Sequence, residues 1–165
     1  MSFQTSVNVT QAPAVEGDFA SVNRRHSLLS VPGGFVAGPA GLTIGRFAWA
    51  DPTGTILSNT GAGAPVCFIH RAMQGSFSPY LLAGSMMIMP GQGVGEMFDG
   101  GDFFARNVGT SASARGMKAY ASTTDGSVSF AAPGAAPAGT IETKWFAGTA
   151  AAAGELVKIT TTAPE

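Results

Sequence analysis

The sequence predicts an all-β fold, a small antiparallel β-sandwich or β-barrel carrying a long irregular N-terminal arm or loop. Three observations carry this. Short apolar runs recur along the 165 residues, turn residues separate them, and no apolar stripe of helical period lasts beyond two turns. About nine short strands at such intervals form the pattern of a sandwich or barrel. A chain of this length fits one β domain over 1–165, large enough to bury a core without disulfide or metal staples.

The first element is a strand, because Phe3, Val7 and Val9 alternate with Gln4, Ser6, Asn8 and Thr10. From Pro13 to Gly41, prolines and glycines interrupt every few residues, so 13–41 is expected as an arm on a neighbour or a long ordered loop over the domain's own surface. Leu42 to Ile44 open a second strand that Phe47 and Trp49 continue in the opposite phase, which predicts a bulge near Gly45. Asp51-Pro52-Thr53-Gly54 suits a type I turn returning through Thr55 to Ser58. Further strands are expected at Pro65–Ile69, Met86–Met89, Val94–Phe98 and Phe103–Ala105. Met117 to Thr123, Asp125-Gly126 and Ser127 to Ala131 give the clearest hairpin. After a loop from Ala132 to Gly139, Ile141–Phe146 and Leu156–Thr162 close the chain.

Composition narrows the function. Only 12% of the residues are charged while 45% are hydrophobic, against roughly 25% charged in an ordinary soluble domain. Such a surface is expected to be covered by other protein. Nine basic and ten acidic residues leave a net charge of -1, so no field draws in nucleic acid or anionic lipid. Leu81 to Met89, the densest apolar stretch, falls far short of the roughly 20 residues of a membrane helix. Cys67 is the sole cysteine, which excludes an internal disulfide. Met1 to Thr5 lacks a signal-peptide pattern, so synthesis in the cytosol is expected.

No constellation carries chemistry. In a strand, Cys67 and His70 point to opposite faces and cannot share one atom. Gly91-Gln92-Gly93-Val94-Gly95 has the wrong spacing for a dinucleotide loop, and Gly116-Met117-Lys118 lacks the flanking residues of a Walker loop. Glu96, Asp99 and Asp102 are too few and too loosely spaced for a calcium loop. No catalytic, metal or cofactor residue is expected, and the protein is not expected to be an enzyme. The basic run Arg24-Arg25-His26 reads first as a solvated loop and, in an arm, as a match for acidic groups on a partner subunit.

Several passages resemble the structural cement, or capsid decoration, proteins of tailed bacteriophages. They are Phe3 to Ser21, Gly45-Arg46-Phe47-Ala48-Trp49-Ala50-Asp51, Ser58 to Pro65, Gly101-Asp102-Phe103 and Asp125 to Phe130, so the likeness reaches to about Ala131. One departure is Asn23-Arg24, where proline is expected after the asparagine. The resemblance implies a β domain on the outer surface of the virion's coat shell, bound to the major capsid protein and to itself, with a homotrimer favoured and a dimer possible. The contact candidates are Phe3, Val7, Phe19, Arg24, Arg25 and Phe35. A different class, a virion-surface adhesin or carbohydrate-binding module, would need an open aromatic among Trp49, Tyr80 or Trp145.

Overall fold

The computed structural model describes residues 14–71 and 86–163. The expected first strand at Phe3–Val9 lies outside that range. Fourteen strands are present and no helix among the described residues. They are β1 His26–Ser27, β2 Phe35–Ala37, β3 Leu42–Thr43, β4 Phe47–Ala50, β5 Ile56–Ser58, β6 Cys67–Ile69 and β7 Met87–Ile88, followed by β8 Gly93–Val94, β9 Met97–Gly100 and β10 Asp102–Arg106. The last four are β11 Lys118–Ser122, β12 Val128–Ala131, β13 Thr140–Ala147 and β14 Leu156–Thr160.

These strands form three open sheets and no closed barrel. One has seven strands in the order β1-β9-β6-β4-β5-β2-β8, one has five in the order β10-β14-β13-β11-β12, and β3 pairs with β7 alone. All pairings are antiparallel except β2 with β5. The architecture is therefore a sandwich.

The two larger sheets face each other across an aromatic core. Phe47, Trp49, Phe68 and Phe98 come from the seven-stranded sheet; Phe103, Trp145, Val157 and Ile159 meet them from the five-stranded one. Phe103 lies 5.3 Å from Phe68 and 5.2 Å from Phe98, ring centre to ring centre, and 5.7 Å from Trp145. Each such pair adds about 0.5–1.5 kcal/mol beyond its buried area. The alternate residues Ala48, Cys67, Ile69 and Met97 turn to the other side, where Leu42 of β3 and Ile88 of β7 join a second core. The seven-stranded sheet is thus apolar on both faces. That explains why β4 reads Phe-Ala-Trp rather than alternating with polar residues.

Two local expectations are corrected. Leu42 to Trp49 is not one bulged strand: Ile44 and Gly45 turn the chain out of the two-stranded sheet and into the seven-stranded one, with Gly45 at φ +76°. The opposite phase seen in sequence marks a change of sheet. The Asp125-Gly126 hairpin forms, but through four residues, 123–126, closed by the Gly126 N–H to Ser122 O bond at 2.9 Å, and only Gly126 takes positive φ. The Asp51 turn forms with Gly54 N–H donating to Asp51 O at 2.9 Å. The Thr53 hydroxyl and the Ile56 N–H hold the Asp51 carboxyl down to about 2.

Candidate interaction surface

Residues 17–20 run beside β10, where Gly17 N–H donates to Phe104 O at 2.7 Å, Phe104 N–H to Asp18 O at 2.9 Å and Ala20 N–H to Asp102 O at 3.0 Å. This first part of the 13–41 segment therefore lies on the chain's own sheet. Its side chains clamp it there. Arg71 Nε donates to Asp18 Oδ1 at 2.7 Å and Arg106 Nε to Glu16 Oε2 at 3.1 Å. Asp102 Oδ2 accepts from Ser21 Oγ at 2.7 Å and Asn23 Nδ2 at 2.6 Å. Partial burial pushes the Asp18 carboxyl up, but the Arg71 guanidinium and the Val15 N–H outweigh it and leave it below the ordinary value. Asp102 is lowered in the same balance, with hydroxyl and amide donors prevailing over burial.

Phe19 is the centre of the clamp. Its ring stacks on His70 with centroids 3.8 Å apart at 19°, and the Arg25 guanidinium carbon lies 3.9 Å from the same centroid. Two planar groups that close must occupy opposite faces, so Phe19 is sandwiched. His70 is held in turn by its Nδ1, 2.6 Å from Gly17 O, and its Nε2, 3.3 Å from Glu96 Oε2.

Beyond Ser21 the character changes. Val22 is 96% exposed and Leu29 91%, whereas every other exposed large apolar side chain among the described residues is at most 48% exposed. Between them lies β1, an edge strand of the seven-stranded sheet that pairs on one side with β9. Leu28 N–H donates inward to Met97 O at 3.0 Å. Among the described residues, the N–H groups of Leu29 and Ser30 have no acceptor, and the exposed Arg24 has no ion pair or hydrogen bond.

The contact candidates divide accordingly. Phe3 and Val7 lie outside the described residues. Phe35 is 5% exposed inside the second core, so its ring offers no surface to a neighbour, and Phe19 packs against the aromatic core. Arg25 caps Phe19 while Arg24 stays free at the surface. Val22 and Leu29, which sequence reasoning passed over, are the exposed apolar groups of the segment. The Ala132–Gly139 loop is mostly exposed but tied down, since Gly134 N–H donates to Glu142 Oε2 at 2.8 Å and the Tyr120 hydroxyl to Ala132 O at 2.7 Å.

The chemical candidates separate. Cys67 belongs to the second core and burial pushes its thiol far up, while His70 sits beside the first core. Glu96, Asp99 and Asp102 turn to three different partners, His70, Lys144 and the Ser21–Asn23 pair. Among the described residues no three His, Cys, Asp or Glu side chains converge on a metal position. Trp49 and Trp145 are buried, leaving no indole platform for a sugar, and Tyr80 lies outside the described residues. Two buried amides went unnoticed in the sequence. Asn59 links β3 to β4 by accepting from Thr43 N–H at 2.6 Å and donating to Phe47 O at 3.0 Å; Asn107 ties the 109–111 loop to Ala152.

Comparison with known proteins agrees with this picture of an all-β sandwich. A chain in the solved structure described as "The capsid of Myoviridae Phage XM1" superposes with a TM-score of 0.67 over 98% of both chains at 17% identity, which establishes the shared fold. No curated protein matches. The family model of the XM1 gp53 minor capsid protein matches residues 3–161, nearly the full length. This chain belongs to that phage minor capsid protein family.

Proposed function

We propose that this protein is a capsid decoration, or cement, protein. It binds the outer surface of the assembled coat-protein shell and stabilises contacts between neighbouring capsomers, with the major capsid protein and further copies of itself, as a homotrimer, for partners. The observation that carries the proposal is the Val22–Leu29 surface: two large apolar side chains stand almost fully in solvent on a chain with 12% charge and with no converged chemical site among the described residues. Isolated exposed apolar groups are ordinary, but two at this level beside an open strand edge mark a place where protein adds.

The mechanism is mass action. A ligand that binds the closed lattice and not its separated parts stabilises the lattice according to its concentration and affinity. Symmetric attachment through several copies multiplies the effect. Mixing purified protein with undecorated capsids and pelleting the particles tests this: co-sedimentation to a saturable ratio is expected, and protein left wholly in the supernatant would overturn the proposal. A solution mass separates trimer from dimer.

A further inference from the structure

We infer that the outer edge of β1, with Val22 and Leu29 on either side, accepts an added β-strand from the shell-forming coat protein, an extended apolar segment carrying at least one acidic side chain. This rests on the function proposed above and names the surface through which it acts.

Natural proteins protect the edges of their sheets with short strands, charge, proline or a covering loop. The edges of the five-stranded sheet show such protection: residues 17–20 lie along β10, and Val108 N–H donates to Val128 O beside β12. At β1 the cover is missing among the described residues. Leu28 N–H points inward to Met97 O, and the next N–H, on Leu29, has no acceptor. Leu28 and Leu29 follow β1, and where the alternation of strand N–H groups carries on past Ser27 the Leu29 donor faces away from β9. Donors on an open edge supply affinity for an added strand and the flanking side chains supply selectivity.

Charge identifies the occupant. Residues 22–30 contain Arg24, Arg25 and His26 and no acidic residue. Arg25 is committed to the Phe19 ring, and Arg24 has no partner among the described residues. Two copies of this chain pairing edge to edge would set basic run beside basic run on one short ribbon, which like-charge repulsion disfavours. A coat-protein strand with a carboxylate near Arg24 satisfies that charge and covers Val22 and Leu29 together.

The test is pelleting with undecorated capsids, using variants whose melting temperature and solution mass are checked first. Because both apolar side chains are solvated, Val22→Asp and Leu29→Asp leave the melting temperature within a few degrees of the parent, and each weakens capsid binding at least about tenfold. Arg24→Glu weakens binding and reverses its dependence on salt. Leu29→Pro, which removes the outward N–H and also fixes the backbone at residue 29, binds about 3–10-fold more weakly than Leu29→Ala. Unchanged binding by Val22→Asp and Leu29→Asp, with the parent still pelleting, would overturn the inference and leave the decoration function standing. Failure of the parent itself to pellet would overturn both. Equal binding by Leu29→Pro and Leu29→Ala would show plain apolar contact in place of strand addition. Loss of self-association in Leu29→Asp with full capsid binding would assign the edge to a second copy, against the inference.

Discussion

The aromatic core and the arm beside it are held by opposite means. Phe68, Phe98, Phe103 and Trp145 meet through van der Waals contact across two sheets, and each is at most 8% exposed. Residues 17–20 hydrogen-bond to β10 and Phe19 packs on that same core, while the surrounding side chains hold the segment by charge: Asp18 to Arg71, Glu16 to Arg106, Ser21 and Asn23 to Asp102, Arg25 to Phe19. Close packing responds to lost volume and is largely indifferent to pH. Carboxylate clamps respond to protons and salt. One chain therefore combines a permanent body with a segment whose attachment depends on conditions.

The sharpest way to break that contrast is to remove a ring from each side. Phe68→Ala, at a fully buried position between the sheets, is expected to cost about 3–5 kcal/mol and to lower the global unfolding transition seen by calorimetry. Phe19→Ala is expected to cost about 1–3 kcal/mol, since its ring is only partly buried. Its effect is local: proteolysis and amide exchange rise over 14–25, while the β11–β12 hairpin keeps its protection. Equal exchange across both regions in Phe19→Ala would show that arm and core open as one unit.

Acid sharpens the contrast at the lowest energy. Asp18 and Asp102 both have folded values below the ordinary carboxylate value. Their contribution is fully present above that ordinary value, about pH 4, and is lost as pH falls through the lowered folded values. Amide exchange corrected for its intrinsic pH dependence should show protection at Gly17 and Ala20 falling below about pH 4, with Ala119 and Ala121 unaffected until the whole sheet unfolds. Simultaneous loss at all four would contradict a separately held arm.

The same division governs what the sequence discloses. In β14 buried Val157 and Ile159 alternate with less buried neighbours, and the Asp125-Gly126 turn pins β11 and β12, so these strands are placed to within a residue or two. The strands of the middle sheet are buried on both faces, and their runs of Phe, Ala, Trp and Cys carry no period from which sheet membership can be read. Hence β3 and β4 merge in the sequence and separate in the structure. The 13–41 segment is recognisable as irregular from its prolines and glycines. Its course is not, because the groups that hold it, Arg71, Asp102 and Arg106, stand 53 to 90 residues away in sequence. Arg24 was legible as part of the basic run Arg24-Arg25-His26, but its lack of a partner among the described residues was not. Val22 and Leu29 were not, since an apolar residue in an aperiodic segment reads equally as core or surface until its neighbours are placed.

The two-faced middle sheet also sets an order of events during synthesis. Every strand of that sheet lies before residue 101, and every strand of the sheet that covers its aromatic face lies after it. As the chain leaves the ribosome, Phe47, Trp49, Phe68 and Phe98 emerge with no partner layer and stay uncovered until about sixty further residues follow, a delay of several seconds at ordinary elongation rates. For that interval the nascent chain displays an open aromatic face, the surface on which holdase chaperones act and from which inclusion bodies grow. Slowing elongation between residues 101 and 160 should reduce the soluble yield, and slowing it before residue 47 should not.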